Sequence, residues 1–250
     1  MIIKVIVAIY SVFLIPLLTK YFTQQITQYQ QQKQKDKEEK EQINLKYLSP
    51  LRLNLVESFV RLDEIYKSCT EGKEKSPLCC IEKSEEVSQK SLSWMIKDGC
   101  YLMSSCYLIA CLFFSIKQVR DAIPYLKIGT NEDTQLLNLM EEINIAFAGV
   151  EGGVFYVIQF SIANDIYLRE EQRLMTYREF CQMVQKEENR EWWDGLIRFF
   201  IRAGKRENLE RLELVKNSIN TLTTFLDQQI GEGDAIRARF DAEKKKTNIL

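Results

Sequence analysis

The sequence predicts an all-α protein: an N-terminal single transmembrane helix, a polar helical stalk, then a compact helical bundle. Three observations lead there. Ten glycines and four prolines in 250 residues are about half of average usage, which starves turn-rich β folds and Gly-rich phosphate loops. Apolar residues recur at steps of three and four through most of the chain, the spacing of a helix with one buried face. A 15-residue stretch near the N-terminus, Val5 to Thr19, carries no charge.

Composition narrows the chemistry. The 34 Lys plus Arg balance 35 Asp plus Glu, so no global basic field exists to hold nucleic acid. The chain contains no histidine, which removes Ser-His-Asp and Cys-His catalysis, His-containing zinc sites and His-based pH switches.

Residues 1–22 read as a membrane anchor. Lys4 and Lys20 flank the uncharged run, and their long stems can reach the headgroups. Residues 2–22, which include both lysines, span about 30 Å as a helix, one hydrocarbon core. No small-x-small cleavage signal follows it, so an uncleaved anchor is favoured over a signal peptide. Lys20, Lys33, Lys35 and Lys37 follow the run and only Lys4 precedes it. That bias predicts a single-pass protein with its C-terminal domain in the cytoplasm. Seven cysteines, an odd number, in a chain too large to need disulfides agree with a reducing compartment.

Residues 23–45 are rich in Gln, Lys and Glu, good helix formers without a breaker, and predict a solvated helical stalk or linker. The domain spans 46–230. Ser49-Pro50 predicts a helix start, with Leu48, Leu51, Leu55, Phe59, Leu62 and Ile65 inward and Arg52, Glu57, Arg61 and Glu64 on other faces. Residues 71–91 are loop-rich, and Trp94 opens the next helix. Residues 99–116 are 18 without a charge. Serines and cysteines dilute them, so a buried central helix is favoured over a second span. The helix is expected to break at Pro124. Thr130 or Asn131 caps the next one, with Leu136, Leu137, Met140, Ile143 and Phe147 inward. Residues 149–163 are again apolar, and Gly152-Gly153 permits a bend or close packing. Read as a helix, 166–175 puts Arg169 and Arg173 on one face. Thr176-x-x-Glu179 is a capping-box signature. Trp192-Trp193 opens a short helix. Leu209, Leu212, Val215, Ile219, Leu222 and Leu226 form the stripe of a last helix stopped by Gly231. Residues 231–250 read as a flexible polar tail.

Three stretches, YLSPLRLNLVESFVRLDEIY at 47–66, YLREEQRLMTYREF at 167–180 and LERLELVKNSINTLTTFLD at 209–227, together resemble an uncharacterised bacterial family of N-terminally membrane-anchored all-helical proteins. In that family a small residue commonly follows the aliphatic after Gln-Arg, where this chain has Met175. The resemblance implies a compact helical domain near a membrane and brings no activity with it.

Candidate chemistry is sparse. Glu141, Glu142, Glu151, Asp165, Glu170 and Glu171 would need histidine partners to make a ferritin-like metal site. Cys69, Cys79 and Cys80 lack paired zinc spacing and read as surface thiols. Glu151, alone among apolar residues, is expected to pair with an arginine such as Arg169 or Arg173. Lys244, Lys245 and Lys246 could touch anionic lipid, though Asp241 and Glu243 weaken this. No catalytic residue, cofactor or metal ligand is predicted. The expected function is that of a membrane-anchored interaction or scaffold protein with an unidentified protein partner. Arg169, Arg173, Trp192 and Trp193 are the candidate interaction surface, because Arg and Trp are enriched in binding hot spots. The rival reading of both Trp residues is core, and that of the cluster Arg169, Glu170, Glu171, Gln172 and Arg173 is an internal or intrahelical polar network. Rival functions are a membrane-associated enzyme or lipid-binding protein built on 99–116 and 149–163, and a multi-span transport accessory.

Overall fold

The computed structural model describes residues 15–71, 76–126, 130–149 and 152–230. Most of the expected anchor, the Glu151 side chain and the 231–250 tail with its three lysines lie outside the described residues. Among these residues the protein is all-α, apart from a two-stranded hairpin. The chain divides into two compact units, Met1–Asn44 and Leu45–Leu250.

The first unit contains helix α1, Ile15–Ile43, which runs through the segment predicted as a stalk. Its second half is held by side-chain links along one helix. Gln32 donates to Asp36 at 2.8 Å, Gln34 to Glu38 at 2.8 Å, and Lys37 pairs with Glu41 at 3.8 Å. Such i,i+4 links each add a few tenths of a kcal/mol to an exposed helix.

In the second unit, α2 (Ser49–Glu71) follows a π-helical turn, Asn44–Leu48. The chain is thus already helical at Ser49-Pro50, and the predicted capped start is not seen. A 3₁₀ turn (Ser84–Gln89) and a short α3 (Leu92–Ile96) with Ser91 as N-cap fill the loop-rich interval. Then come α4 (Cys100–Leu126), α5 (Thr130–Phe147), α6 (Tyr156–Asp165), strands β1 (Tyr167–Leu168) and β2 (Arg173–Leu174), α7 (Tyr177–Gln185), α8 (Glu187–Gly204) and α9 (Leu209–Ile230). Helix α4 runs through Pro124 instead of stopping there.

The predicted apolar stripes face inward. Leu51, Leu55, Leu62 and Ile65 of α2 and Leu212, Val215, Ile219 and Leu222 of α9 are buried. The two helices pack antiparallel, because Arg52 meets Asp227 at 2.5 Å while Asp63 meets Lys216 at 3.5 Å. Arg52 therefore does not lie on an outer face as its spacing suggested. Its partner comes from a helix 175 residues later, and the buried pair ties the two ends together.

Helix α4 is long and apolar enough to cross a membrane over Cys100–Ala122, with a mean hydropathy of 1.6, and 67% of its most apolar stretch is buried inside the domain. The serines that dilute it face α2. Arg61 donates to Ser104 at 2.8 Å, to Ser105 at 3.1 Å and to the Tyr101 carbonyl at 3.3 Å, while Asn54 donates to Ser115 at 2.6 Å. A helix wrapped by lipid would have no such donors. On its other sides Phe113 packs edge-on against Phe147 at 4.9 Å, and Phe147 reaches Phe199 at 5.4 Å. One aromatic core thus joins α4, α5 and α8.

Gly152 and Gly153 allow the α5–α6 connection to close tightly. Gly152 has φ +73 and lies against the Arg202 side chain, and a Cβ on Gly153 would sit 2.5 Å from the Gly149 nitrogen. Buried Gln159 fixes the same corner by donating to the Asn144 and Val154 carbonyls, both at 2.8 Å.

Candidate interaction surface

Residues 166–175 form a hairpin instead of the expected helix. Tyr167 pairs with Leu174 and Leu168 with Arg173, and the turn closes with Gln172 in the left-handed region at φ 52. That conformation is uncommon for a residue with a Cβ, so contacts at the base must hold it. Met175 donates its backbone N–H to the Ile166 carbonyl at 2.8 Å, and the Tyr107 hydroxyl of α4 donates to the Met175 carbonyl at 2.7 Å. Tyr167 stacks on Phe114 with centroids 4.7 Å apart. Arg169, Glu170, Glu171 and Gln172 stand exposed at the tip.

Arg173 braces the hairpin against α7. Its two terminal nitrogens each donate to one Glu179 oxygen at 2.8 Å, a bidentate fork, and it also pairs with Glu171. Glu179 Oε2 accepts in addition from the Thr176 backbone N–H at 2.7 Å and hydroxyl at 2.8 Å. Thr176 Oγ1 accepts the Glu179 N–H in return, at 3.3 Å, so the predicted capping box is formed. The Arg173 guanidinium and the Thr176 donors hold the Glu179 carboxyl well below the usual carboxylate range, because each bond favours the charged form.

The four predicted surface residues separate. Arg169 is exposed on the tip, and Arg173 lies at its base with its charge engaged. Trp192 is 46% exposed on α8, whereas Trp193 is fully buried and meets Phe180 edge-on at 5.0 Å. Trp193 is thus a core residue, on the face it shares with buried Leu196, Ile197 and Phe200, while Trp192 lies about 100° round the helix. Helix α8 is also longer than expected, 18 residues. Spacing alone did not show the braces Tyr107, Phe114 and Glu179. The sequence signal for the last was an arginine placed just ahead of a capping box.

The other candidates give little chemistry. Among the described residues no group of three or more Cys, Asp or Glu side chains could hold a metal ion. Cys69 is not a surface thiol: it is buried, with its thiol donating to the Ala203 carbonyl at 3.3 Å. Burial pushes the Cys111 thiol up to about 12 and Cys181 to about 11, which keeps both protonated and inert. A cleft of about 540 Å³ between the 3₁₀ turn and α8 is lined by charges that largely compensate one another. Lys205 pairs with Glu82 at 3.0 Å, and Arg202 with Glu207 at 3.2 Å.

Fold and site together describe an all-helical domain that presents one braced, charged hairpin. No protein family, curated protein or solved structure matches the chain.

Proposed function

We propose that this chain is a membrane-anchored interaction protein that works by binding, without turnover. The observation that carries the binding reading is the hairpin 166–175. It costs backbone strain at Gln172 and is anchored by three neighbours, yet its tip exposes four polar side chains to solvent. A tip held rigid before contact loses little entropy on binding a partner, and such preorganisation is what makes a small surface effective. Arg169 and Glu170 are the residues proposed to touch a protein partner, with Trp192 as a separate candidate on α8.

The anchor is proposed from the uncharged run Val5–Thr19, and the cytoplasmic orientation from the lysines that follow it. A tether of this kind raises the effective concentration of the domain for anything held at the same membrane. The test is recovery of partners from gently solubilised membranes with the wild type and with Arg169→Ala/Glu170→Ala. Loss of a partner at unchanged melting temperature supports the tip as the contact. Equal recovery with both proteins removes it. A reporter fused at the C-terminus and active only outside the cytoplasm must stay silent; activity there overturns the orientation.

A further inference from the structure

Helix α1 has an apolar face that its polar composition conceals. At 100° per residue, Leu18, Tyr21, Phe22, Ile26 and Tyr29 fall within an arc of about 140°. All five are exposed, from 47% for Leu18 to 71% for Tyr29. Lys20, Thr23, Gln24, Thr27 and Gln31 occupy the opposite side, and Gln25 lies inside the arc. Lys20 is the only charge between Leu18 and Gln32, and charged residues recur from Lys33 onward. The helix therefore changes character near residue 30, from neutral and amphipathic to densely charged.

We infer that Ile26 and Tyr29, which carry the Leu18–Phe22 face beyond the end of the proposed anchor, dock into the headgroup layer of the bilayer. The inference rests on the proposed anchor and adds to it a second, peripheral contact. Several features fit lipid better than a second copy of α1. The apolar arc is wider than the two-position seam of a coiled coil, and Gln25 within it can reach a polar headgroup with its amide, whereas a seam would bury that amide between two helices. Tyr21, Ile26 and Gln28, which would flank that seam, supply no charges to set a register. Two tyrosines and a phenylalanine beside a lysine have the composition of a membrane interface, where an aromatic body sits among acyl chains and a hydroxyl meets water. The face also continues directly from Val5–Thr19. A helix leaving the hydrocarbon at Phe22 carries Tyr29 about 10 Å further along its axis, and leaning toward the apolar side brings Tyr29 into the headgroups. The water-facing spacer is then only 33–43, about 16 Å of helix.

The experiment uses the full chain in vesicles of phosphatidylcholine with phosphatidylglycerol. Photoreactive benzoylphenylalanine replaces, one at a time, Phe13, Gln24, Ile26, Thr27 or Tyr29. The expected result is lipid adducts at positions 13, 26 and 29, with none at 24 and 27. Adducts at 13 but not at 26 or 29 overturn the docking while leaving the anchor intact. No lipid adduct at 13 or elsewhere overturns both. Chain-to-chain adducts at 26 and 29 overturn the docking in favour of a second copy.

Discussion

Arg52 and Arg173 each meet a carboxylate, in opposite surroundings. Arg52 and Asp227 are 3% and 13% exposed and join helices far apart in sequence. Arg173 and Glu179 are 40% and 35% exposed and lie six residues apart. The first pair has given up most of its hydration, so losing one partner removes the counter-charge of a buried group. The second keeps water nearby, and its attraction is screened. What the outer pair retains is geometry: a bidentate fork that fixes how the hairpin leaves α7. The same chemistry closes the bundle at one place and aims a loop at another.

The sharpest way to break this comparison is Asp227→Ala. It should cost about 3 kcal/mol or more in urea unfolding, because it removes the carboxylate paired with the buried Arg52 guanidinium. Replacing both partners with Arg52→Met/Asp227→Leu should return much of that loss. A cost below about 0.5 kcal/mol for the single change would mean the pair is solvated like a surface one. Next in size is Ile219→Ala, on the buried α9 stripe beside the inner pair. It is expected to cost about 2–5 kcal/mol in the same assay. Thr176→Ala removes the cap under the outer pair and should cost about 1 kcal/mol, read by thermal unfolding.

The smallest effect sharpens the outer half through pH. The folded-state carboxyl of Glu179 titrates below its unfolded value. Its contribution is therefore fully present above the ordinary glutamate value of about 4.3, and it is lost as pH falls toward the depressed folded value. Comparing the wild type with Glu179→Gln, the stability gap should be constant from neutral pH down to about 4.3 and close progressively below that. A gap that widens in acid would contradict the direction of the shift.

Much of the inner region was legible in sequence. The stripe from Leu212 to Leu226 repeats at helical steps, and burial follows that period. Thr176-x-x-Glu179 names its own cap. The serines in 99–116 hinted that this apolar helix meets protein, and their bonds to Arg61 and Asn54 are the reason. The outer region resisted reading because its residues carry the wrong local signal. Arg, Glu, Gln and Leu in 168–174 are good helix formers, and no Gly or Asn marks the turn. Only Tyr107, Phe114 and Glu179 favour the hairpin, two of them about 60 residues away in sequence. Arg52 was misread for the same reason: helical spacing assigns a face, but it cannot know that α9 will offer Asp227 there. Cys69 was grouped with Cys79 and Cys80, which are half-buried, although α8 covers it with Ala203. In α1 the apolar face begins at Leu18 and crosses the boundary between the expected anchor and stalk, so neither segment taken alone displays it.

The central claim is that 46–230 is a self-contained bundle with α4 as its buried core helix. The most direct measurement is expression of residues 46–230 alone, without detergent, followed by circular dichroism through a thermal melt. The account predicts a soluble, strongly helical protein that unfolds in one cooperative transition. Recovery only from detergent-extracted membranes would contradict it and make Cys100–Ala122 a membrane span.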